Sequence, residues 1–407
     1  MTQTADLDDL LSEEAIDRPI SFYAKLRERG AAHWNPRWNG WVVSSYDAVV
    51  AGFRDTAHLS ADRFSGPFGA DLRAGAAERP QLLNFLSKFF VWKDPPSHTR
   101  MRLLVNSAFT PKSVEAFRPR VRALVRELAD PLAGRDADFL GEFAFHLPVI
   151  VIAEFLGVPS EARQQVRQWS EDLGAVIFVR GGDSARAERG ERAMADIVGF
   201  LRPIVRARRA EPKDDFLTAL AHAEADGARL DEDEVIANAV LMVFAGHETT
   251  MNLLANGIVA FHQFPEQWER LRAEPALART AVEEILRFDG PIRGMARWAK
   301  APLELGGQAI AANDRVFLVQ HAANHDPAAF DNPDRLDIAR WPNRHVAFGQ
   351  GIHTCLGAPL ARMEAQEAIA YLAEQFAQIE VLEPALRYAP TLVSRSLKSL
   401  KTRMHEA

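Results

Sequence analysis

Residues 348–357 read FGQGIHTCLG and contain Cys355, the only cysteine among the 407 residues of the chain. A single cysteine excludes an intramolecular disulfide, a cysteine-rich zinc site and an iron–sulfur cluster held by four thiolates. A lone cysteine is commonly a small buried hydrophobe, but this one lies among glycines that permit tight turns and close approach of a flat ligand. The helical pattern that follows puts it at a helix N-terminus, which favours the thiolate. The thiolate is therefore predicted to be a nucleophile or a single metal ligand.

This loop resembles the haem-binding signature of the cytochrome P450 family, F-x-x-G-x-x-x-C-x-G. Phe348, Gly351, Cys355 and Gly357 fill its four specified positions. The resemblance implies haem b, iron protoporphyrin IX, with Cys355 as the axial ligand of the iron, whose electron donation favours cleavage of the O–O bond. The residues of the loop expected to contact the haem are Phe348, Gly349, His353, Cys355 and Gly357.

A second motif, AGHETT at residues 245–250, lies in the middle of a long helical pattern. Glycine inside a helix costs about 1 kcal/mol relative to alanine, so Gly246 indicates either a local deformation or a close packing contact between helices. The motif resembles the oxygen-binding signature of the family, A-G-x-(D/E)-T-(T/S). The resemblance assigns Thr249 to hydrogen-bonding dioxygen at the iron and Glu248 to proton delivery, with Ala245 and Gly246 beside the haem. The residue at the variable position is interpreted as an ordinary helix residue.

Glu284 and Arg287 lie three residues apart in a helical pattern, so both project from one face and can pair. Most such pairs are solvated and contribute little. These two resemble the E-x-x-R motif of the family, and Arg340 stands where the family has a third charged partner. The role implied is structural, a buried charged network that braces the haem-binding core.

His98 and Arg102 lie four residues apart in DPPSHTRMR, where the prolines indicate a helix start. An exposed basic helix face would explain this spacing equally well. The run resembles the haem-propionate helix of the family, which favours propionate binding. Arg297 and His353 match further propionate-contacting positions by the same resemblance.

Apolar residues at three-to-four spacing predict most of the chain to be helical, and strand signals are few. With no repeat or linker, we predict one domain over residues 1–407, mainly α with a small β portion, beginning with a flexible segment at 1–14. The resemblance implies the triangular, helix-rich cytochrome P450 fold. Irregular stretches at 65–79 and 180–183 are candidate lids. The predicted helices are 115–129, 160–174, 186–208, 232–263, 276–288 and 356–377, and the predicted strands are 41–43, 303–310 and 315–319, with Gly306 and Gly307 as a turn between the last two.

Composition and charge exclude several other classes of protein. A net charge of −7 argues against wholesale nucleic-acid binding. No apolar run approaches the roughly 18 residues that span a bilayer. The N-terminal sequence MTQTADLDDLLSEE is acidic where a secretory signal would be basic and then apolar. We therefore expect a cytoplasmic monomer that binds neither membrane nor nucleic acid.

Seven basic residues and one acid, Glu115, lie between positions 100 and 126. A solvated helix face is the default explanation of such a run. In the family this region borders the cysteine side of the haem, where an acidic ferredoxin docks, so we expect a separate ferredoxin to deliver the electrons. The basic residues are Arg100, Arg102, Lys112, Arg118, Arg120, Arg122 and Arg126.

Together these motifs predict a monooxygenase that inserts one atom of dioxygen into a small organic substrate, using electrons from NAD(P)H. The alternatives are a peroxide-driven haem-thiolate enzyme and a non-enzymatic haem sensor. Glu248 and Thr249 disfavour both, because neither needs proton delivery to dioxygen. One hypothesis is that Arg293 faces the substrate and indicates an acceptor group such as a carboxylate. The alternative is that Arg293 turns outward or joins the residues that contact the propionates. The predicted pocket residues are Leu83, Phe85, Trp92, Val176, Phe178, Val179, Met242, Ala245, Ile292, Arg293, Met295 and Val393.

Overall fold

Helices dominate the chain, as the apolar periodicity predicts. A computed structural model describes residues 6–73, 79–177, 184–225 and 227–406. The described α-helices are Glu13–Asp17 (α1), Pro19–Glu28 (α2), Tyr46–Arg54 (α3), Gly66–Arg73 (α4), Pro80–Leu86 (α5), Ser97–Ala108 (α6), Pro111–Ala116 (α7), Arg118–Ala129 (α8), His146–Leu156 (α9), Arg163–Ile177 (α10), Ser184–Ala210 (α11), Phe216–His222 (α12), Glu232–Gln263 (α13), Pro265–Ala273 (α14), Ala278–Asp289 (α15), Gln320–Asn324 (α16) and Ala358–Gln375 (α17). All six predicted helices are confirmed, as α8, α10, α11, α13, α15 and α17, and no end shifts by more than three residues.

The start of α13 shows how local sequence sets a helix boundary. The backbone N–H of Glu234 donates to Asp231 Oδ1 at 2.7 Å, and the N–H of Asp231 donates to Glu234 Oε2 at 3.0 Å. This reciprocal cap satisfies two backbone donors that have no partner within the helix. Glu232 and Asp233 add negative charge where the helix dipole favours it. Pro265 then begins the next helix, α14.

The β portion consists of short strands, and its largest sheet has the order β1-β2-β10-β7-β3. The strand predictions at 41–43 and 315–319 are confirmed by β2 and β10, which pair in parallel through Trp41 and Val316. The described strands are Ala32–Asn35 (β1), Gly40–Val43 (β2), Leu59–Ser60 (β3), Asp136–Asp138 (β4), Glu224–Ala225 (β5), Ala228–Arg229 (β6), Met295–Ala299 (β7), Leu303–Leu305 (β8), Gln308–Ile310 (β9), Arg315–Leu318 (β10), Phe376–Val381 (β11) and Lys401–Glu406 (β12).

The predicted position of the double-glycine turn was wrong. Gly306 and Gly307 do not separate 303–310 from 315–319, because they turn the chain inside the first stretch and make β8 and β9 a hairpin. Both have positive φ, +60° and +74°, which favours glycine. A Cβ on Gly306 would also lie 2.9 Å from Ala32 Cβ. The hairpin therefore requires glycine at this turn.

The chain forms two compact units, neither of which is a continuous stretch. The first unit comprises Met1–Leu59, Arg118–Leu147 and Thr249–Ala407, and the second comprises Ser60–Phe117 and Pro148–Glu248. In the first unit, β2, β10 and α3 enclose an apolar core in which Val43, Val49 and Leu318 are fully buried. The prediction of one haem domain over residues 1–407 stays a prediction.

The predicted flexibility of the N-terminal segment is wrong for residues 6–14. Leu10 is only 5% exposed, and its carbonyl accepts a hydrogen bond from Arg293. Asp8 pairs with Arg29 at 2.6 Å, and Asp9 pairs with Arg37 at 2.9 Å. The segment is thus fixed to the first unit because its carbonyls and carboxylates are bound.

The first candidate lid is more regular than the sequence pattern indicates. Helix α4 occupies most of the stretch 65–79, and residues 74–78 lie outside the described residues. The second candidate lid, 180–183, lies wholly outside them. Among the helices that the structure describes, none is both long enough and apolar enough to cross a membrane.

Candidate active site

Cys355 lies between a 3₁₀ turn, Gly351–His353, and the start of α17. Its backbone N–H donates to the carbonyl of Phe348 at 2.9 Å, and Thr354 Oγ1 donates to the carbonyl of Gly351 at 2.7 Å. These bonds close the loop on itself. The cysteine is exposed and lies two residues before Gly357, the N-cap of α17, so the helix predicted to start at the cysteine begins three residues after it, at Ala358.

Gly349 and Gly351 adopt positive φ, +70° and +73°. A Cβ on Gly351 would lie 2.9 Å from the carbonyl oxygen of Phe53, whereas a Cβ on Gly349 would meet only Phe53 Cε1, at 3.9 Å. Gly351 is therefore required for both its backbone conformation and its close approach to α3. Gly349 is required for its conformation and leaves the surface of the loop open.

Phe348 is held by residues that the motif does not include. The guanidinium of Arg362 lies 4.4 Å from the centre of its ring and pairs with Glu283 at 2.7 Å. Glu283 also contacts His345 Nε2 at 3.0 Å. Burial opposes ionisation, but hydrogen bonds from His345 and Arg362 lower the pKa of Glu283 to about 2. Sequence reasoning missed this support, although Glu283 directly precedes the recognised Glu284.

The predicted charged network of Glu284, Arg287 and Arg340 is present, and its central pair is fully buried. Arg287 donates two hydrogen bonds to the carboxylate of Glu284, at 2.8 and 2.9 Å, and both side chains are 0% exposed. Arg340 Nε lies 3.1 Å from both carboxylate oxygens, and Asn343 Nδ2 donates to the same group at 3.0 Å. Because a buried charge needs such partners, the network fixes the segment before the cysteine loop.

Helix α13 carries the second motif and runs through Gly246 without interruption. The helix shows no break at this glycine, and packing does not require glycine there either, because a Cβ would make only ordinary van der Waals contacts. A Cβ on Gly246 would lie 3.5 Å from two carbons of Ile152 on α9. Ala245 is exposed although Phe244 is buried, and Glu248 and Thr249 are half-buried. Ala245 and Thr249 lie four residues apart, on one face of the helix.

His98 and Arg102 lie together on α6, in the second unit, near the ring of Phe90. The guanidinium of Arg102 is 5.5 Å from the centre of that ring, and the imidazole of His98 is 6.2 Å from it. Burial and the charge of Arg102, opposed by Asp94, lower the pKa of His98 to about 4. At neutral pH the pair therefore offers one cation and one neutral imidazole.

The other two predicted propionate ligands lie in the first unit. Arg297, on β7, is half-buried, and its guanidinium lies 5.6 Å from the centre of the Phe53 ring. The same ring lies beside Gly349 of the cysteine loop. His353 is half-buried in the 3₁₀ turn before Cys355. The structure therefore places Arg297 and His353 around the cysteine loop.

The prediction that Arg293 faces the substrate is wrong. Its side chain is 2% exposed, and its guanidinium donates to the Tyr23 hydroxyl at 3.1 Å. It also donates to the carbonyls of Leu10, Ala15 and Thr391. Four of its five N–H groups are thus bound inside the first unit. Arg293 therefore joins the N-terminal segment to the stretch around Thr391.

The remaining pocket predictions divide by exposure. Phe85 is 1% exposed and belongs to the core of the second unit, whereas Ala245 is exposed. Phe178 and Val179 lie outside the described residues, as does the side chain of Val176. Met242 and Ile292 are buried, and the partly exposed residues are Leu83, Trp92, Met295 and Val393.

The basic run between positions 100 and 126 carries less net charge than its composition indicates. Glu367 binds both Arg118, at 2.6 Å, and Arg122, at 2.8 Å. Arg120 pairs with Glu127 at 3.2 Å. Arg100 pairs with Glu234 in the second unit. The count of seven bases to one acid was therefore misleading, because acids distant in sequence offset several of the bases.

Comparison with known proteins agrees with these features. The family model "Cytochrome P450" matches residues 183–383. Cytochrome P450 107B1 of Saccharopolyspora erythraea is 36% identical, over 97% of this chain and 96% of its own length. Cytochrome P450 monooxygenase PikC of Streptomyces venezuelae is 38% identical, over 98% and 94%. The structure of Cytochrome P450 CYP109Q5 from Chondromyces apiculatus superposes with a TM-score of 0.87 at 32% identity, covering 98% of each chain. With this likeness over nearly its whole length, the chain has the cytochrome P450 fold and belongs to the cytochrome P450 monooxygenases, a family of oxidoreductases.

Proposed function

We propose that this protein inserts one atom of dioxygen into a small organic substrate and releases the other as water, with electrons from NAD(P)H. The observation that carries the proposal is the exposed, sole thiol of Cys355 in a glycine-shaped loop. Within this family, that thiol is the group expected to bind the haem iron. The substrate is a small organic molecule whose identity a binding screen must supply.

The residues around Cys355 fit the haem that the family implies. A flat, iron-bearing ring needs a thiolate that it can reach and a loop surface free of side chains, and Cys355 and Gly349 supply these. When bound, haem b supplies the redox chemistry of dioxygen activation. Phe348, Gly349 and Gly357 would contact the haem beside Cys355, and the family resemblance adds Ala245 and Gly246 as haem contacts.

Four side chains would hold the two propionates of that haem. Arg102 and Arg297 are cations that form charge-assisted hydrogen bonds with carboxylates. His98, neutral when buried, and His353 would each contribute a ring N–H. This assignment rests on the family resemblance together with the pairing of His98 with Arg102 on α6 and the placement of Arg297 and His353 beside the cysteine loop.

Thr249 and Glu248 would deliver the protons that the reaction consumes. The hydroxyl of Thr249 can donate and accept, so it can hold a proton at Oγ1 close to dioxygen. The carboxylate of Glu248 can pass protons from solvent toward that hydroxyl. Both side chains are half-buried, which leaves them reachable from solvent. A peroxide-driven enzyme or a haem sensor would not need this pair.

The electron donor would be a separate ferredoxin that docks on the basic surface of α8. Arg122 and Arg126 are exposed there, although Arg122 is partly neutralised by Glu367. Opposite charge on the ferredoxin would speed association. We also propose that the protein acts as a monomer in the cytoplasm.

The source of the inserted oxygen atom tests this function. A substrate is first found by screening compounds for a shift of the ferric haem spectrum. Turnover is then run under ¹⁸O₂ with NAD(P)H, a ferredoxin and its reductase, and in parallel with unlabelled hydrogen peroxide alone. We expect one labelled atom in the product of the first reaction and little product in the second. Unlabelled product, or faster turnover with peroxide, would favour the peroxide-driven alternative.

A further inference from the structure

Helix α10 contacts the oxygen-motif helix α13 through two residues that lie four apart. Within the second unit, Ser170 Oγ lies 3.1 Å from His247 Nδ1, and both side chains are buried. One turn further along α10, a Cβ built on Gly174 would lie 3.2 Å from Glu248 Oε2. Residues four apart share one helix face, so one face of α10 meets two consecutive residues of α13.

The close approach of Glu248 explains why position 174 is glycine. A separation of 3.2 Å is tighter than nine in ten real Cβ contacts, and because it involves the end of a flexible side chain, that side chain would have to move. Gly174 is buried in the last turn of α10, and glycine is a poor helix former. Its φ is not in the left-handed region, so no backbone conformation demands it. The space left by its missing side chain is what the carboxylate of Glu248 uses.

The contact between Ser170 and His247 holds α13 to α10 at the residue directly before Glu248. From the sequence pattern, His247 is interpreted only as an ordinary helix residue. In the structure its imidazole is buried and holds α13 to α10 directly beside Glu248. The backbone that carries the carboxylate is thereby fixed, and Gly174 leaves room for the carboxylate itself.

We propose that Gly174 and Ser170 are positioning residues that set the orientation of the Glu248 carboxylate. The inference rests on the proposed role of Glu248 in proton delivery. The carboxylate lies against α10 because Gly174 admits it, and from there Oε2 exchanges protons with solvent. A methyl group at position 174 would turn this side chain away while leaving both helices in place.

The test compares Gly174→Ala with Gly199→Ala, its matched control. Gly199 also lies inside a helix of the second unit, α11, but a Cβ there would meet nothing within 4 Å. Both variants gain helix propensity. We expect Gly174→Ala to slow turnover by roughly threefold to tenfold, a fraction of the 10²-fold or more that a positioned proton-transfer group contributes. Its solvent deuterium isotope effect should rise, while KM, the carbonyl spectrum and all properties of Gly199→Ala stay as in the wild type.

A double-mutant cycle separates this inference from the role of Glu248. If Gly174 acts through the carboxylate, Gly174→Ala has no further effect on turnover in a Glu248→Gln background. Thermal unfolding gives a readout independent of activity, since Gly174→Ala should raise the melting temperature more in a Glu248→Ala background than in the wild type. Ser170→Ala should change turnover and the isotope effect in the same direction as Gly174→Ala.

Two results would overturn the inference, and they differ from failure of the proposed function. If Gly174→Ala matches Gly199→Ala in turnover and isotope effect, or if its effects add to those of Glu248→Gln, Gly174 does not position the carboxylate. If Glu248→Gln itself turns over at the wild-type rate, the role of Glu248 in proton delivery fails. In that case, non-additive effects of Gly174→Ala and Glu248→Ala on the melting temperature would still show that the two residues are in contact.

Discussion

Cys355 is the one residue on which the cofactor assignment depends. We expect the purified protein to contain haem and its reduced carbonyl complex to show the strongly red-shifted main band of a thiolate-ligated iron. Cys355→Ala should lose that band, because no other cysteine exists in the chain to replace the ligand. Absorption spectra of the two proteins check this. A retained band in the variant would show that another group binds the iron.

Thr249 and Glu248 are expected to control the use of oxygen rather than the binding of substrate. Thr249→Ala should keep consuming NAD(P)H while more electrons are lost as peroxide, because the hydroxyl that holds the proton is gone. Glu248→Gln should slow turnover by about 10²-fold, as loss of a proton-transfer group typically does. Product, peroxide and NAD(P)H are measured together, and the substrate-induced spectral shift is the control for binding. Wild-type coupling and turnover in both variants would reopen the peroxide-driven alternative.

At the scale of elements, Arg293 and Arg395 join the N-terminal helix to two strand-like segments. Arg395 donates to Asp289 at 2.9 Å and also bonds the carbonyl of Ile16. The two segments bond each other, since the N–H of Arg293 donates to Val393 and the N–H of Arg395 donates to Pro291. Two buried guanidinium groups thus bind backbone carbonyls of the segment around α1. The N-terminal segment is therefore bound to the two strand-like segments that contain Ile292 and Val393.

We expect Arg293→Leu to destabilise the protein by about 3 kcal/mol or more, because it leaves several buried carbonyl acceptors without their hydrogen-bond donor. Arg344→Leu, at an exposed position of the same unit, should change the unfolding free energy by no more than about 0.5 kcal/mol. Denaturant unfolding of both variants measures this. Because Arg293 binds the protein's own carbonyls, anionic and neutral substrates should lose affinity equally. A selective loss for anionic substrates would revive the substrate-facing interpretation.

Local sequence was sufficient for the elements and for the motifs, but not for side chains whose partners are distant. The cysteine loop and the cap of α13 depend on residues within ten positions of one another, so their pattern is visible in the chain. Arg293 was misread because its partners, such as Leu10, lie up to 283 residues away. The sequence around Gly174 does not indicate which residue packs against it, because only the approach of Glu248 in the structure explains this glycine.

For the whole molecule, the basic surface of α8 leads to a prediction about electron transfer. Reduction of the haem by an acidic ferredoxin should slow as ionic strength rises, because salt screens charges more than about 10 Å apart at 0.1 M. Arg126→Ala should slow the reaction at low salt and weaken its salt dependence. Arg403→Ala, an exposed arginine on β12 in the same unit, is the control. Stopped-flow reduction at several salt concentrations measures this, and equal effects of both variants would contradict docking on α8.

The hydrogen bonds from Arg293 and Arg395 to the segment around α1 also have a consequence for the order in which parts of the chain pack during synthesis. Arg293 follows Leu10 by 283 residues, and Arg395 follows Ile16 by 379. A ribosome makes a chain from its N-terminus, so α1 emerges long before Arg293 and Arg395 and cannot form these bonds until both have been translated. Any polypeptide fused ahead of residue 6 is thus held beside an undocked helix throughout translation. Helix α1 therefore stays undocked for a long part of synthesis.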